Sequence, residues 1–286
     1  MSDISRIGVV GGGQMGGGIA QVAAVSGIET VVYDVSADAI ARCQQTNDKL
    51  LERAVQKERM TADQAKAAQN RLSYVTDLHF LAESDLVVEA IVEDAGAKRE
   101  MFGKLAGMFT GDQILATNTS SISITEIAAA TDCPERIIGM HFFYPVPVMK
   151  LVEVINGLAT APEVTERVIN LAEKMGKTAL PANDRAGFVS NRVLMPMINE
   201  AFYAWMEGVA RPEDIDGIMK LGCNFPMGPL RLADFIGLDT CAHIMDVLAE
   251  GLNNDRYRPC PLLRQLVTAG RLGDKTGRGV FDYAKG

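Results

Sequence analysis

The chain has 286 residues, 48% of them hydrophobic, and a net charge of −8 from 36 acidic against 28 basic side chains. At roughly 150 residues per domain this length suggests two domains, and the acidic balance, with no run of lysines or arginines, excludes nucleic acid as a partner on electrostatic grounds. No stretch approaches the ~20 apolar residues that span a bilayer and the N-terminus lacks a signal pattern; Cys43, Cys133, Cys223, Cys241 and Cys260 are scattered without a C-x-x-C pair or a nearby histidine. A cytosolic protein with reduced thiols, no metal site and no membrane partner is expected.

From residue 6 to about 181, short apolar runs alternate with longer amphipathic ones, the pattern of strand, helix, strand units on a parallel sheet. Buried strands are expected at 7–10, 30–33, 86–91, 114–117 and 137–140. Between the second and third, the charged stretch 37–70 reads as two helices joined near Arg59-Met60, with Thr61 and Gln64 spaced as a capping box. A second box, Ser123 with Glu126, starts a short helix after the turn Asn118-Thr119-Ser120-Ser121. Residues 151–155 read as a further strand, 162–175 as a helix that ends at Gly176, and 178–181 as the last strand. After residues 183–187 the strand signals vanish; helices are expected at 188–207, kinked by Pro196, then at 212–221, 238–250 and 262–269. The boundary falls near Asp184, giving an α/β unit, 1–184, and an all-helical unit, 185–286, whose Met- and Leu-rich faces suit a second subunit and favour a homodimer.

The first strand runs straight into Gly11-Gly12-Gly13-Gln14-Met15-Gly16, and a helix follows through Ile19, Val22 and Ala23. Gly11 permits a tight turn, Gly13 admits a pyrophosphate and Gly16 lets helix pack on strand, which is the phosphate turn of a Rossmann-like, doubly wound, mostly parallel fold. The helix N-terminus adds free N–H groups and a positive dipole. Asp34 ends the second strand about 20 residues later, where a carboxylate accepts from adenosine ribose hydroxyls and repels a 2′-phosphate. NAD is expected rather than NADP.

His141 follows the strand at 137–140, at the carboxyl edge where ligands bind in open α/β sheets. Glu153 lies on the next extended segment; if that segment returns alongside, the carboxylate fixes the imidazole tautomer and the other nitrogen takes a hydroxyl proton. A lone histidine among apolar residues is more often structural, and Glu153 is equally an outward strand position. Ser120 and Ser121 could bond a reacting oxygen, or serve only turn and capping chemistry. Asn191 sits early in the first helix of the second unit. Glu93 and Lys98 are candidate contacts to the nicotinamide ribose, or solvated charges. His79 and His243 have no motif around them and read as structural.

Taken together, Gly11 to Gly16, Asp34, the run from Val88 to Glu93, Asn118 to Ser121, the block His141 to Glu153, Gly187 to Arg192, Phe225 to Pro229 and Lys275 to Gly279 resemble the L-3-hydroxyacyl-CoA dehydrogenase family over essentially the whole chain. The resemblance implies His141 as the acid/base residue, Glu153 as its orienter, and Ser120 and Asn191 as positioners of the substrate oxygen and nicotinamide. It implies NAD contacts from Asp34, Glu93, Lys98, Asn118 and Lys275, an acyl-CoA substrate held by the helical excursion with Lys57 at a phosphate-contact position, and dimers through the C-terminal helices. Two residues depart from the family pattern: Tyr144 stands where Asn is usual, and Leu50 where some relatives place a serine near CoA. A dehydrogenase of free hydroxy or sugar acids, or a crystallin-like nucleotide-binding structural protein, stays open as an alternative.

Overall fold

The apolar runs of the first half assemble into one sheet in the computed structural model, which describes residues 4–109 and 111–283. Its strands are β1 (Arg6–Val10), β2 (Glu29–Tyr33), β3 (Leu72–Val75), β4 (Leu86–Glu89), β5 (Ile114–Thr117), β6 (Ile137–Phe142), β7 (Leu151–Asn156) and β8 (Thr178–Asn183), in the order β3-β2-β1-β4-β5-β6-β7-β8. Every neighbouring pair is parallel except β6 with β7. Strands β4, β5 and β6 are buried along their whole length, as parallel strands covered on both faces must be. Polar Ser73 and Tyr74 in β3 and Pro181 in β8 fall on the two edge strands, where a proline breaks no ladder. The helices of this unit are α1 (Gln14–Val25), α2 (Ala37–Gln56), α3 (Ala62–Asn70), α4 (Ala95–Met108), α5 (Ile124–Ala128) and α6 (Pro162–Lys174). Ile7, Val9, Ile19, Val32, Val88, Ala116, Ile138, Met140, Val154 and Val168 form the core, each of the larger ones contributing about 1.5–3 kcal/mol on burial.

The chain divides into two units, Met1–Asp184 and Arg185–Gly286. The second contains α7 (Ser190–Met206), α8 (Pro212–Gly222), α9 (Pro229–Ile236), α10 (Leu238–Gly251) and α11 (Pro261–Thr268), packed around Met195, Ile198, Phe202, Leu230, Leu238, Met245, Leu248 and Leu263. Helix α7 runs on through Pro196 and starts at Ser190 rather than 188, because Gly187 and Phe188 take positive φ values of 73° and 48°.

Several boundaries differ from the sequence expectation for local reasons. Strand β4 stops at Glu89, whose carboxylate takes the Ile91 N–H at 2.7 Å instead of leaving it to a ladder. Strand β6 extends to Phe142 because β7 pairs with it through Phe142 and Val152, so His141 lies within the strand. The Thr61–Gln64 capping box forms in both directions, whereas at α5 only Ser123 caps Glu126 N and the Glu126 carboxylate pairs with Arg99 at 3.0 Å instead.

Helix α9 was not expected from the sequence, since no side chain of its own caps it. The carboxylate of Asp216, buried in α8, accepts from Leu230 N at 2.9 Å and Arg231 N at 2.8 Å. Gly228 is glycine because a β-carbon there would collide with that carboxylate. Removing the cap strands two N–H groups, at about 1–2 kcal/mol. Asp216→Ala should therefore lower stability by about 2 kcal/mol in urea unfolding and Asp216→Asn by about half as much; an Ala variant as stable as wild type contradicts the cap.

Candidate active site

The glycine turn is built as the spacing requires. Gly11 has φ of 112°, and a β-carbon on it would lie 2.6 Å from Ala90 O; one on Gly16 would collide with Gly11 O. Gly13, by contrast, has open space within 4 Å of its β-carbon direction and is the N-cap of α1 with no side chain capping that terminus. The open cradle before unpaired helix N–H groups fits a pyrophosphate. Asp34 fastens this turn to β2, accepting from Gly12 N at 2.8 Å and from Ser36 N at 2.9 Å. Gln14 and Met15 open α1, and Gly17 and Gly18 are explained by contacts: β-carbons there would lie 3.0 Å from Cys43 Sγ and 2.9 Å from Val146 Cβ.

His141 and Glu153 face each other across the antiparallel β6–β7 pair. His141 Nδ1 lies 2.7 Å from Glu153 Oε2, and both side chains are buried. The Phe143 ring stands 4.5 Å from the imidazole, centroid to centroid. This arrangement fixes the imidazole's orientation and offers a carboxylate to an imidazolium, the conditions for acid/base work by the other ring nitrogen. Asn118, at the end of β5, accepts from Phe142 N at 2.9 Å, tying its strand to that of His141.

Beside the pair, one carboxylate organises the Ser120 turn. Glu93 Oε1 accepts from Thr119 Oγ1 at 2.6 Å, Ser120 N at 2.9 Å, Ser120 Oγ at 3.2 Å, and Ser121 N and Oγ at 3.1 Å. Burial raises the Glu93 pKa, but the ammonium of Lys98 and the hydrogen bonds from Thr119, Ser120 and Ser121 outweigh it and hold the carboxyl below its ordinary range. Lys98 is itself 1% exposed, its ammonium placed 2.7 Å from Glu89 and 3.3 Å from Glu93. Glu89, fully buried, also accepts from Thr117 Oγ1 at 2.7 Å. Glu89 and Thr119 are site residues that motif reading missed; the signal was a glutamate inside the apolar run 86–92, which needs a buried cation.

Next to the glycine turn a cleft of about 910 Å³ opens, lined by α1, by α2, and by Tyr144 to Val148. Arg42, Arg53, Lys57 and Arg59 line it together with Leu50. In the second unit Asn191 is buried in α7, and Lys275 lies 2.6 Å from Asp239 Oδ2. Among the described residues no group of three or more His, Cys, Asp or Glu could hold a metal ion, and no helix is long and apolar enough to cross a membrane.

A doubly wound sheet with an open glycine cradle, an acidic β2 end and a buried histidine–carboxylate pair defines an NAD-dependent dehydrogenase. Residues 6–185 match the model of the 3-hydroxyacyl-CoA dehydrogenase NAD-binding domain and residues 187–283 that of the C-terminal domain. The chain belongs to the 3-hydroxyacyl-CoA dehydrogenase family. It is 56% identical over 281 residues to the probable 3-hydroxybutyryl-CoA dehydrogenase of Bacillus subtilis (strain 168), covering 98% of each chain. It is 44% identical over 284 residues to the 3-hydroxyadipyl-CoA dehydrogenase of Escherichia coli (strain K12), covering 99% of this chain and 60% of that one. The crystal structure of (S)-3-hydroxybutyryl-CoA dehydrogenase from Ralstonia eutropha superposes with a TM-score of 0.97 at 46% identity, covering 99% of this chain and all of that one.

Gly13→Ala should keep the melting temperature of wild type, since its φ of −74° suits alanine, and should weaken NADH binding about tenfold or more by filling the cradle, as titration of NADH fluorescence would read; unchanged affinity would place the pyrophosphate elsewhere. Because the folded-state pKa of Glu93 is lowered, its stabilisation is complete above the ordinary glutamate value and is lost as pH falls through the lowered one. Glu93→Gln should therefore cost about 2 kcal/mol at neutral pH, a gap that narrows on acidification. A gap that widens in acid would mean that Glu93 is protonated in the fold.

Proposed function

We propose that this protein interconverts (S)-3-hydroxybutyryl-CoA, or a similarly short 3-hydroxyacyl-CoA, with its 3-oxo form, acetoacetyl-CoA in the first case. The observation that carries the reading is the 2.7 Å buried contact of His141 with Glu153. The names of the relatives supply the substrate class. NAD, when bound, supplies the hydride acceptor for oxidation and, reduced, the hydride donor for the reverse. All other work falls to the chain. Glu153 accepts a hydrogen bond from the Nδ1–H of His141 and so sets the tautomer; His141 Nε2 then takes the proton of the 3-hydroxyl as the carbonyl forms, and Glu153 stabilises the resulting imidazolium. In reduction the same nitrogen returns the proton to the forming alkoxide.

Ser120 and Asn191 position the substrate oxygen and the nicotinamide. Asp34 receives the adenosine ribose hydroxyls while the turn from Gly11 to Gly16 holds the pyrophosphate. Glu93 takes the nicotinamide ribose and Lys98 acts through Glu93, whose position and charge it fixes. Asn118 and Lys275 complete the cofactor contacts. Arg42, Arg53, Lys57 and Arg59 give the cleft beside α1 the charge to bind the phosphates of CoA, with Lys57 the residue the family resemblance singles out. The enzyme works in the cytoplasm as a homodimer through the helices of its second unit.

Acetoacetyl-CoA reduction by NADH tests this reading. Wild type should be fast, His141→Ala should lose about 10²–10⁴-fold in kcat, and Glu153→Gln should lose kcat with little change in KM. Turnover by His141→Ala within tenfold of wild type would remove the proton shuttle. Faster reduction of a six-carbon dicarboxylic 3-oxoacyl-CoA than of acetoacetyl-CoA would shift the substrate toward that named for the Escherichia coli relative.

A further inference from the structure

The flank of α1 that lines the cleft carries Gln14, Gly17, Gly18, Gln21, Val22 and Val25, spaced so that they share one helix face. At Gly17 and Gly18 this wall is bare backbone. The long polar side chain that stands next on it, Gln21, is only 6% exposed, and its Oε1 is buried with no hydrogen-bond partner among the described residues. An unmet amide oxygen in such a place is a net cost, so the fold gains nothing from it. Arg42, Arg53, Lys57 and Arg59 line the same cleft, which directs an anionic end of a ligand there, while Val22, Val25, Leu50 and Val148 supply apolar lining.

We propose that Gln21 is a specificity-determining residue that recognises the amide-bearing arm joining the nucleotide of an acyl-CoA to its thioester. This rests on the acyl-CoA reading above and deepens it. The cleft then divides by chemistry: phosphates at the arginines and Lys57, apolar stretches of the arm along the valines, and an arm amide on the Gln21 carboxamide. A carboxamide both donates and accepts, and its terminal torsion is soft, so a turn about it presents either atom to the arm.

Gln21→Met keeps the length of the side chain and deletes both polar atoms. Calorimetric titration should give a dissociation constant for CoA about tenfold weaker than wild type, while adenosine 3′,5′-bisphosphate, which lacks the arm, binds within about twofold of wild type. The melting temperature should be equal or higher, because the variant loses a polar atom that the free protein leaves unmet. A lower melting temperature would show that the amide has a structural partner and would overturn the proposal. So would unchanged CoA affinity, or equal weakening toward both ligands. Failure of wild type to bind CoA or to reduce acetoacetyl-CoA is a separate result, which removes the acyl-CoA reading itself and the proposal with it.

Discussion

One reversal of direction in an otherwise parallel sheet brings the central pair of this protein together. Were β7 parallel to β6, a crossover would carry Glu153 to a register unrelated to His141. Antiparallel return through residues 143–150 instead places the two directly opposite, Met140 against Val154 and Phe142 against Val152 on either side. Opposed positions on one face lie within reach of short side chains, and here the contact closes at 2.7 Å. The connecting loop is held from two directions. Lys177 donates to Val146 O at 2.5 Å and Met149 O at 2.8 Å, with burial pushing its ammonium pKa down. Val146 also presses on α1 where Gly18 leaves room.

A second constraint is the ammonium of Lys98, enclosed between Glu89 and Glu93. Taking one partner from a buried ion pair typically costs about 3–5 kcal/mol, because the other is left uncompensated. The arrangement thus fixes where each carboxylate can be. Glu89 sits at the end of β4 and Glu93 in the loop beyond, so the cation ties the strand end to the Ser120 turn through hydrogen bonds that Glu93 accepts. Ordering the turn from beneath in this way uses a charge that the sequence offers either as a ribose contact or as a solvated helix lysine.

What could be read in the chain followed the range of the interaction. The glycine turn and the central strands rest on spacing within a few residues, and Asp34 on a fixed offset of about 20 residues from that turn; they were legible. Strand β3 was not, because Leu72 to Val75 is an edge with two polar residues and carries no apolar run. Helix α9 escaped for the opposite reason: its cap, Asp216, comes from another helix. The Ser123 box was half right because Arg99, far along the chain, competes for Glu126. The pairing of His141 with Glu153 could be named as a possibility from two successive extended segments, and strand direction decides it. The cationic lining of the cleft has a signal in the sequence: Arg42, Thr46, Leu50, Arg53 and Lys57 recur at three- and four-residue intervals along α2 and its C-cap, one face of a helix.

Helix α1 joins these parts. Its N-terminus is left without a side-chain cap, a cost that is recovered when an anion meets the open N–H groups. Its flank is stripped to glycine where α2 and the hairpin loop approach, each glycine costing about 1 kcal/mol in helix propensity. A helix serving stability alone would carry alanines there, since Gly17 and Gly18 are worth their cost only if Cys43 and Val146 must come as close as they do. That approach brings the basic face of α2 and Tyr144 to the rim of the same cleft that begins at the glycine turn. Cofactor turn and cationic cleft are therefore set side by side by one weak helix, with the loop that leaves His141 lining the cleft through Tyr144 to Val148.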